Sequence, residues 1–241
     1  MKISIVIPAF NEERLLGASL AQIKSAAASF TKTGWETELI VCDNNSTDRT
    51  AEIARTAGAT VVFEPVNQIA RARNTGARTA TGDWLVFVDA DSHPGAELFV
   101  AVAEQIRSGQ CLAGGCTVRL DGNYPIANWA TGQWNFVSRM LRWAAGSFIF
   151  CDTGAFRKIG GFNEKLFASE EIDLSKRLKK LARAEKKKIV ILHRHPILTS
   201  PRKVQLYSPR ELLWFLAKAL FTGGKALNSR DACHPWYDGR R

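Results

Sequence analysis

The sequence has no apolar run approaching the ~18 residues that a membrane-spanning helix needs. The longest candidate, residues 212–221, is broken by Lys218. A signal peptide is not expected either: the first apolar run, residues 3–7, is short and meets Pro8, Glu12 and Glu13. The five cysteines (Cys42, Cys111, Cys116, Cys151 and Cys233) are scattered and form no CxxC pair. That argues against a zinc site or a disulfide framework and for reduced thiols in a cytosolic protein. Glycine-rich nucleotide loops are lacking too. Pro8-Ala9-Phe10-Asn11 stands where a dinucleotide fold would carry GxGxxG. Gly223-Gly224-Lys225 has neither the spacing nor the preceding strand of a Walker P-loop.

What remains is ordinary globular material. The chain has 241 residues and 26.7 kDa, with 46% apolar and 23% charged residues. That suits one domain with a C-terminal extension. The net charge of +10 points to an anionic partner: nucleic acid, phosphate-rich ligand or acidic membrane surface.

Strands and helices alternate in the first half. Strands are expected at residues 3–7, 38–42, 60–63 and 84–88, and helices at 12–30, 48–57 and 69–80. Ser46 or Asp48 is the expected N-cap of the second helix. The strands are continuous apolar runs, the pattern of a parallel sheet covered on both faces. The fold class is therefore α/β, a mostly parallel sheet flanked by helices. In the second half, a strand is expected at 114–120 and an aromatic helical stretch within 124–150, carrying Trp129, Trp134 and Trp143. An amphipathic helix follows at 172–184, with Leu174, Leu178 and Leu181 on one face. A last strand at 188–193 and a helix at 208–221 complete the reading.

Polar residues collect where the first, second and fourth strands end: Asn11-Glu12-Glu13, Asp43-Asn44-Asn45-Ser46-Thr47-Asp48 and Asp89-Ala90-Asp91-Ser92-His93. Open α/β sheets bind ligands beyond the carboxyl ends of their strands. Two carboxylates one residue apart, Asp89 and Asp91, can reach one hard cation together with substrate phosphates.

Four segments resemble the GT-A glycosyltransferases of the family 2 type. They are Ser4-Ile5-Val6-Ile7-Pro8-Ala9-Phe10-Asn11-Glu12-Glu13, then Val41-Cys42-Asp43-Asn44-Asn45-Ser46-Thr47-Asp48, then Ala72-Arg73-Asn74-Thr75-Gly76-Ala77 leading through Gly82-Asp83 into the Asp89-Ala90-Asp91 motif, and finally Gly160-Gly161-Phe162-Asn163-Glu164 with Ser169-Glu170-Glu171-Ile172-Asp173-Leu174. The resemblance implies a GT-A fold, with a nucleotide-binding half at 1–110, an acceptor and catalytic half at 111–205, and a C-terminal helix and tail at 206–241. It implies that Pro8, Ala9, Phe10 and Glu12 line the nucleotide pocket, that Asp43 contacts the base, and that Arg73 sits near the base or diphosphate. Asp89, with Ala90, would contact the ribose or the metal. Asp91 would hold Mn²⁺ or Mg²⁺. Glu171 would be the general base, with Glu170 beside it in a motif that usually ends Glu-Asp. His93 either adds a metal ligand or is a loop histidine. His193 and His195, at the end of the last strand, are candidates for a late metal-binding histidine. Arg202 and Lys203 either close on the diphosphate or form an exposed basic turn. The QxxRW box of processive members is absent, which favours single transfers.

Residues 176–188 carry eight basic residues and one acid, seven of the ten net charges. Their helical face is either simply solvated or attracted to an anionic membrane. No RNA or DNA motif accompanies it, and the lysines are not interleaved with stacking aromatics, so nucleic acid is not the expected partner. The three tryptophans either line an acceptor pocket or pack in the core. The expected activity is inverting, non-processive transfer of a sugar from a nucleotide-diphosphate sugar to a sugar or lipid-linked acceptor. The expected setting is cytoplasmic, with peripheral attachment at the inner face of the membrane. The alternative is a catalytically silent nucleotide-sugar or membrane-binding module with the same fold.

Overall fold

The structure, a computed structural model, describes residues 1–202 and Cys233. The expected helix at 208–221 and Lys203 lie outside the described residues.

Among the described residues, eight strands form one sheet. In chain order they are β1 (Lys2–Ala9), β2 (Glu36–Asp43), β3 (Thr60–Phe63), β4 (Trp84–Val88), β5 (Ser92–His93), β6 (Cys111–Leu120), β7 (Phe148–Asp152) and β8 (Lys188–Thr199). The helices are α1 (Leu16–Thr31), α2 (Thr50–Thr56), α3 (Ile69–Thr79), α4 (Ala96–Arg107), α5 (Pro125–Leu141), α6 (Thr153–Lys158) and α7 (Glu170–Ala184). Spatial order is β3-β2-β1-β4-β7-β6-β8-β5. The first four strands run parallel, as their apolar runs predict. β7 enters antiparallel between β4 and β6, while β6 and β8 are again parallel.

The continuous apolar runs have a simple cause: both faces of the strands are buried. Ile3, Ile5 and Ile7 of β1 and Val86 and Val88 of β4 point into a layer with Leu16, Leu20, Phe30, Leu98 and Phe99 from α1 and α4. Val6, Leu85 and Phe87 point the other way, into a layer with Ala70, Ala77, Phe156, Leu174 and Leu178. α3 lies close on this second face because Gly76 presents no side chain there. A Cβ at that position would stand 2.4 Å from Val6 Cγ1. This close approach brings the middle of α3 beneath the carboxyl end of the sheet.

Several expected boundaries move, each for a local reason. α1 starts at Leu16, not at residue 12, because Asn11 sits at φ 52° and the Glu12 carbonyl accepts from Leu15 and Leu16 in a turn. α2 starts at Thr50. Asp48 still accepts the Thr50 N–H, although Arg49 holds the cap position. Within the aromatic stretch only residues 125–141 are helical. Arg142 adopts the left-handed conformation (φ 54°) and ends α5, so Trp143 lies beyond it and Phe148–Asp152 is strand. β8 runs on to Thr199, so His193 and His195 lie within it rather than at its end.

Candidate active site

The loops after β1, β2 and β4 meet at one edge, at the point where the chain's order in the sheet reverses. The first two loops are bound to each other. Asn11 N–H donates to Ser46 Oγ (3.0 Å), and Thr47 N–H donates to Asn11 Oδ1 (2.8 Å). Glu12 N–H donates to Thr50 Oγ1 (2.7 Å), and Glu13 N–H to Asp48 Oδ2 (3.0 Å). Asp43 ends β2 and accepts from Ser46 N–H at 3.0 Å, which shapes the second loop. Pro8 is buried at the end of β1, Phe10 is half-buried beyond it, and Ala9 and Ala90 turn their methyl groups into the core. Those two alanines can offer a ligand only backbone.

Arg73, expected near the base or diphosphate, is bound to the Asp89 carboxylate of the β4 motif. Its side chain is 1% exposed, and its fork joins two halves of the site. Nη1 donates to Glu170 Oε1 (2.6 Å), while Nη2 donates to Asp89 Oδ1 (2.8 Å) and to the Gly146 carbonyl (3.0 Å). The Phe162 ring lies 5.2 Å from its guanidinium carbon. Burial opposes the charge, yet Asp89 and Glu170, with Glu171 nearby, outweigh it and hold the Arg73 pKa above its ordinary value.

The two adjacent glutamates at the start of α7 are thereby told apart. Glu170 is buried against Arg73. Glu171 lines a 380 Å³ cleft with Gly146, Ser147, Ala130, Thr131 and Trp134. Burial, then the Glu170 charge, pushes the Glu171 carboxyl up to about 8, against the pull of Arg73. Of the three tryptophans, Trp134 reaches this cleft. Trp129 is exposed on α5, and Trp143 lies under Lys176, whose Nζ is 5.1 Å from its ring.

Asp91 and Glu12 are joined across the site by Arg202. Its guanidinium grips Glu12 with two bonds of 2.8 Å and reaches Asp91 Oδ2 at 3.3 Å. Burial works against the Arg202 charge, but the bond and charge of Glu12, with Asp91 and Asp89, raise its pKa. Arg202→Gln removes a bidentate charged pair that is 15% and 6% exposed. We expect it to lower stability by about 1.5–3 kcal/mol, measured by chemical denaturation.

The expected metal-binding histidines fare differently from the carboxylates. His93 is half-buried in β5, paired with Leu198 of β8. His193 and His195 are exposed mid-strand, and His193 lines a separate cleft between α5 and β8 with Arg119 and Arg139. Among the described residues, no three His, Cys, Asp or Glu side chains gather closely enough to hold a metal. The set offered is Asp89 and Asp91 alone. Two carboxylates fit a hard cation that shares its remaining positions with water and substrate phosphates, and not one held in an all-protein cage.

Two groups were not singled out from the sequence. Asn74 clamps the loop after α6, donating to the Phe162 carbonyl and Glu164 Oε1 (both 2.9 Å) and accepting from Phe162 N–H (2.9 Å). That bond leaves no room for a side chain at Gly161, where a Cβ would stand 2.6 Å from Asn74 Oδ1 at φ +69°. Asn44 binds the Glu64 and Val66 carbonyls and Gln68 N–H. Both lie inside the quoted motifs, which was the available signal.

With this geometry in place, the chain belongs to glycosyl transferase family 2, whose model matches residues 4–163. An uncharacterized glycosyltransferase of Mycobacterium tuberculosis is 34% identical over 113 residues, 46% of this chain and 47% of that protein. The dolichol-phosphate mannosyltransferase of Pyrococcus furiosus is 30% identical over 137 residues, 54% of this chain and 36% of that protein. The matches thus span less than half the length of these relatives. Among solved structures, the fold is shared with the mannosyltransferase PcManGT from Pyrobaculum calidifontis in complex with GDP-Man and Mn²⁺. That likeness has TM-score 0.67 and 18% identity, and covers 96% of this chain and 64% of that one. It is also shared with S. aureus TarS residues 1–349 in complex with UDP, at TM-score 0.63 and 22% identity, covering 83% and 60%. These likenesses bear out the expected GT-A fold.

Proposed function

We propose that this chain transfers a hexosyl group from a nucleotide-diphosphate sugar to an acceptor hydroxyl, with inversion and one transfer per encounter. The observation that carries the reading is the Arg73 fork, which ties Asp89 of the β4 motif to Glu170 and so sets Glu171 beside it in the open cleft. Glu171 accepts the proton of the acceptor hydroxyl as that oxygen attacks the anomeric carbon. The bond to the diphosphate breaks on the opposite face, and the diphosphate leaves. The first turn of α7 pulls toward the ionised carboxylate that this role needs, but burial and the Glu170 charge outweigh it and raise the Glu171 pKa to about 8. Phe10, Asp43 and the paired β1 and β2 loops hold the nucleoside. Asp91 and Asp89 would hold a Mn²⁺ or Mg²⁺ ion, which would neutralise charge on the departing diphosphate. Arg202 exchanges its bond with Asp91 for one with the diphosphate.

The acceptor is a sugar or lipid-linked sugar, reached through the Glu171 cleft. One relative's name, UDP-Glc:alpha-D-GlcNAc-diphosphoundecaprenol beta-1,3-glucosyltransferase, describes such an acceptor for that protein. Among the described residues no helix is long and apolar enough to cross a membrane. A lipid-linked acceptor presents its sugar at the membrane surface.

A thermal-shift screen of UDP, GDP, CDP and dTDP, with and without Mn²⁺, tests the donor half of this reading. One nucleotide at 100 times its Kd should stabilise the protein by about 2.7 kcal/mol, and only with the cation present. No shift with any of the four would remove the donor assignment.

A further inference from the structure

Helix α5 is amphipathic in the reverse sense for a surface helix. Its polar residues face the body: Asn135 brackets Val118 of β6, accepting its N–H (2.9 Å) and donating to its carbonyl (2.8 Å), and Ser138 is buried. Its large apolar residues face outward. Ile126 is 74% exposed, Trp129 68%, Phe136 63% and Met140 68%. At 100° per residue these four fall on one stripe, with Val137 beside them. An exposed contiguous apolar stripe marks an interaction surface.

The neighbouring charge identifies the partner. The basic face of α7 borders the carboxyl end of this stripe. Lys179 Nζ donates to the Leu141 carbonyl (3.0 Å), and Lys176 lies over Trp143. Arg139 and Arg142, both exposed, add two more cations at the same end, and Lys180 and Arg183 continue the basic face. Apolar residues flanked by lysine and arginine are the pattern of a helix lying in a membrane interface, where anionic headgroups meet the cations.

We propose that α5 and the basic face of α7 form a docking surface for an anionic bilayer, with the α5 stripe inserted at headgroup depth. α5 also supplies Ala130, Thr131 and Trp134 to the Glu171 cleft. Docking therefore brings the mouth of that cleft to the membrane surface, where the head of a lipid-linked acceptor is found. This last step rests on the lipid-linked acceptor of the proposed function; the docking surface does not.

Co-sedimentation of the full chain with equimolar phosphatidylglycerol–phosphatidylcholine vesicles, and with phosphatidylcholine alone, tests the proposal. The chain should sediment with the anionic vesicles, and less so as salt rises. Combined Ile126→Ser, Phe136→Ser and Met140→Ser should weaken binding at least about tenfold. Lys176→Glu with Lys179→Glu should remove the preference for the anionic lipid. Mn²⁺-dependent nucleotide binding, followed by thermal shift on the same variants, should match the unsubstituted chain. That readout separates failed docking from failure of the donor reading. Absence of vesicle binding, or a serine variant that binds as the unsubstituted chain does, overturns the proposal. So does self-association in sedimentation velocity that the serine variant abolishes, which would make the stripe an interface between copies.

Discussion

Glu171→Gln is expected to lower kcat for transfer by about 10²–10⁴-fold, the usual contribution of a positioned proton acceptor, while the Kd of the nucleotide stays within a factor of about two because the substitution is nearly isosteric. Steady-state kinetics with product chromatography would show it. The unsubstituted enzyme should also reveal the group by pH. Burial, then Glu170, raises the Glu171 pKa to about 8. A base works deprotonated, so a raised pKa means that most molecules carry the wrong protonation state at neutral pH. The kcat/KM value should therefore fall as pH drops below about 8, roughly tenfold per unit, and level off above it. Glu171→Gln should lose that limb. Transfer that survives the substitution at full rate would move the base role elsewhere.

Arg73→Met is expected to be the most destabilising single change at the site. It leaves the Glu170 carboxylate, 5% exposed, and the Asp89 carboxylate without the cation that holds both. Removing one partner of a buried ion pair costs about 3–5 kcal/mol, because the remaining charge stays buried uncompensated. Urea denaturation would show the loss as a lower midpoint at unchanged slope. Arg73→Lys should recover only part. It keeps the charge, but an ammonium cannot span two carboxylates as the planar fork does. The Arg73→Lys protein, if folded, should also transfer more slowly, since Asp89 and the start of α7 lose their common tether. An unfolding free energy within about 1 kcal/mol of the original for Arg73→Met, below the range for breaking a buried pair, would contradict this account of the site.

The first half of the fold was legible because its strands are covered on both faces. Two-sided burial makes β1 and β4 read as unbroken apolar runs, and their polar endings mark the ligand edge. β7 was not legible. It has five residues, inside an aromatic stretch whose composition suits helix or strand equally, and only pairing with β4 and β6 decides it. The Asp89 and Asp91 pair and the two glutamates of α7 could be found from their motifs, and the resemblance already named Glu171 as the base, but what turns Glu170 away from the cleft could not be read. That depends on Arg73, and an arginine in a helical segment reads as a surface residue until tertiary structure buries it. The histidines were read from their chemistry alone. Their chemistry suits a metal, but the strand that carries His193 and His195 runs past them and leaves both exposed.

The central claim is that the Asp89-Ala90-Asp91 motif holds a cation for transfer from a nucleotide-diphosphate sugar. The most direct test is nucleoside-diphosphate release from the donor that the thermal screen selects, measured against Mn²⁺ concentration for the unsubstituted chain and for Asp91→Ala. The account predicts release that rises with Mn²⁺, stops with chelator, and falls at least about 100-fold in Asp91→Ala, equivalent to the several kcal/mol a bound cation supplies. Release by Asp91→Ala at the full rate, with the same dependence on Mn²⁺, would contradict it.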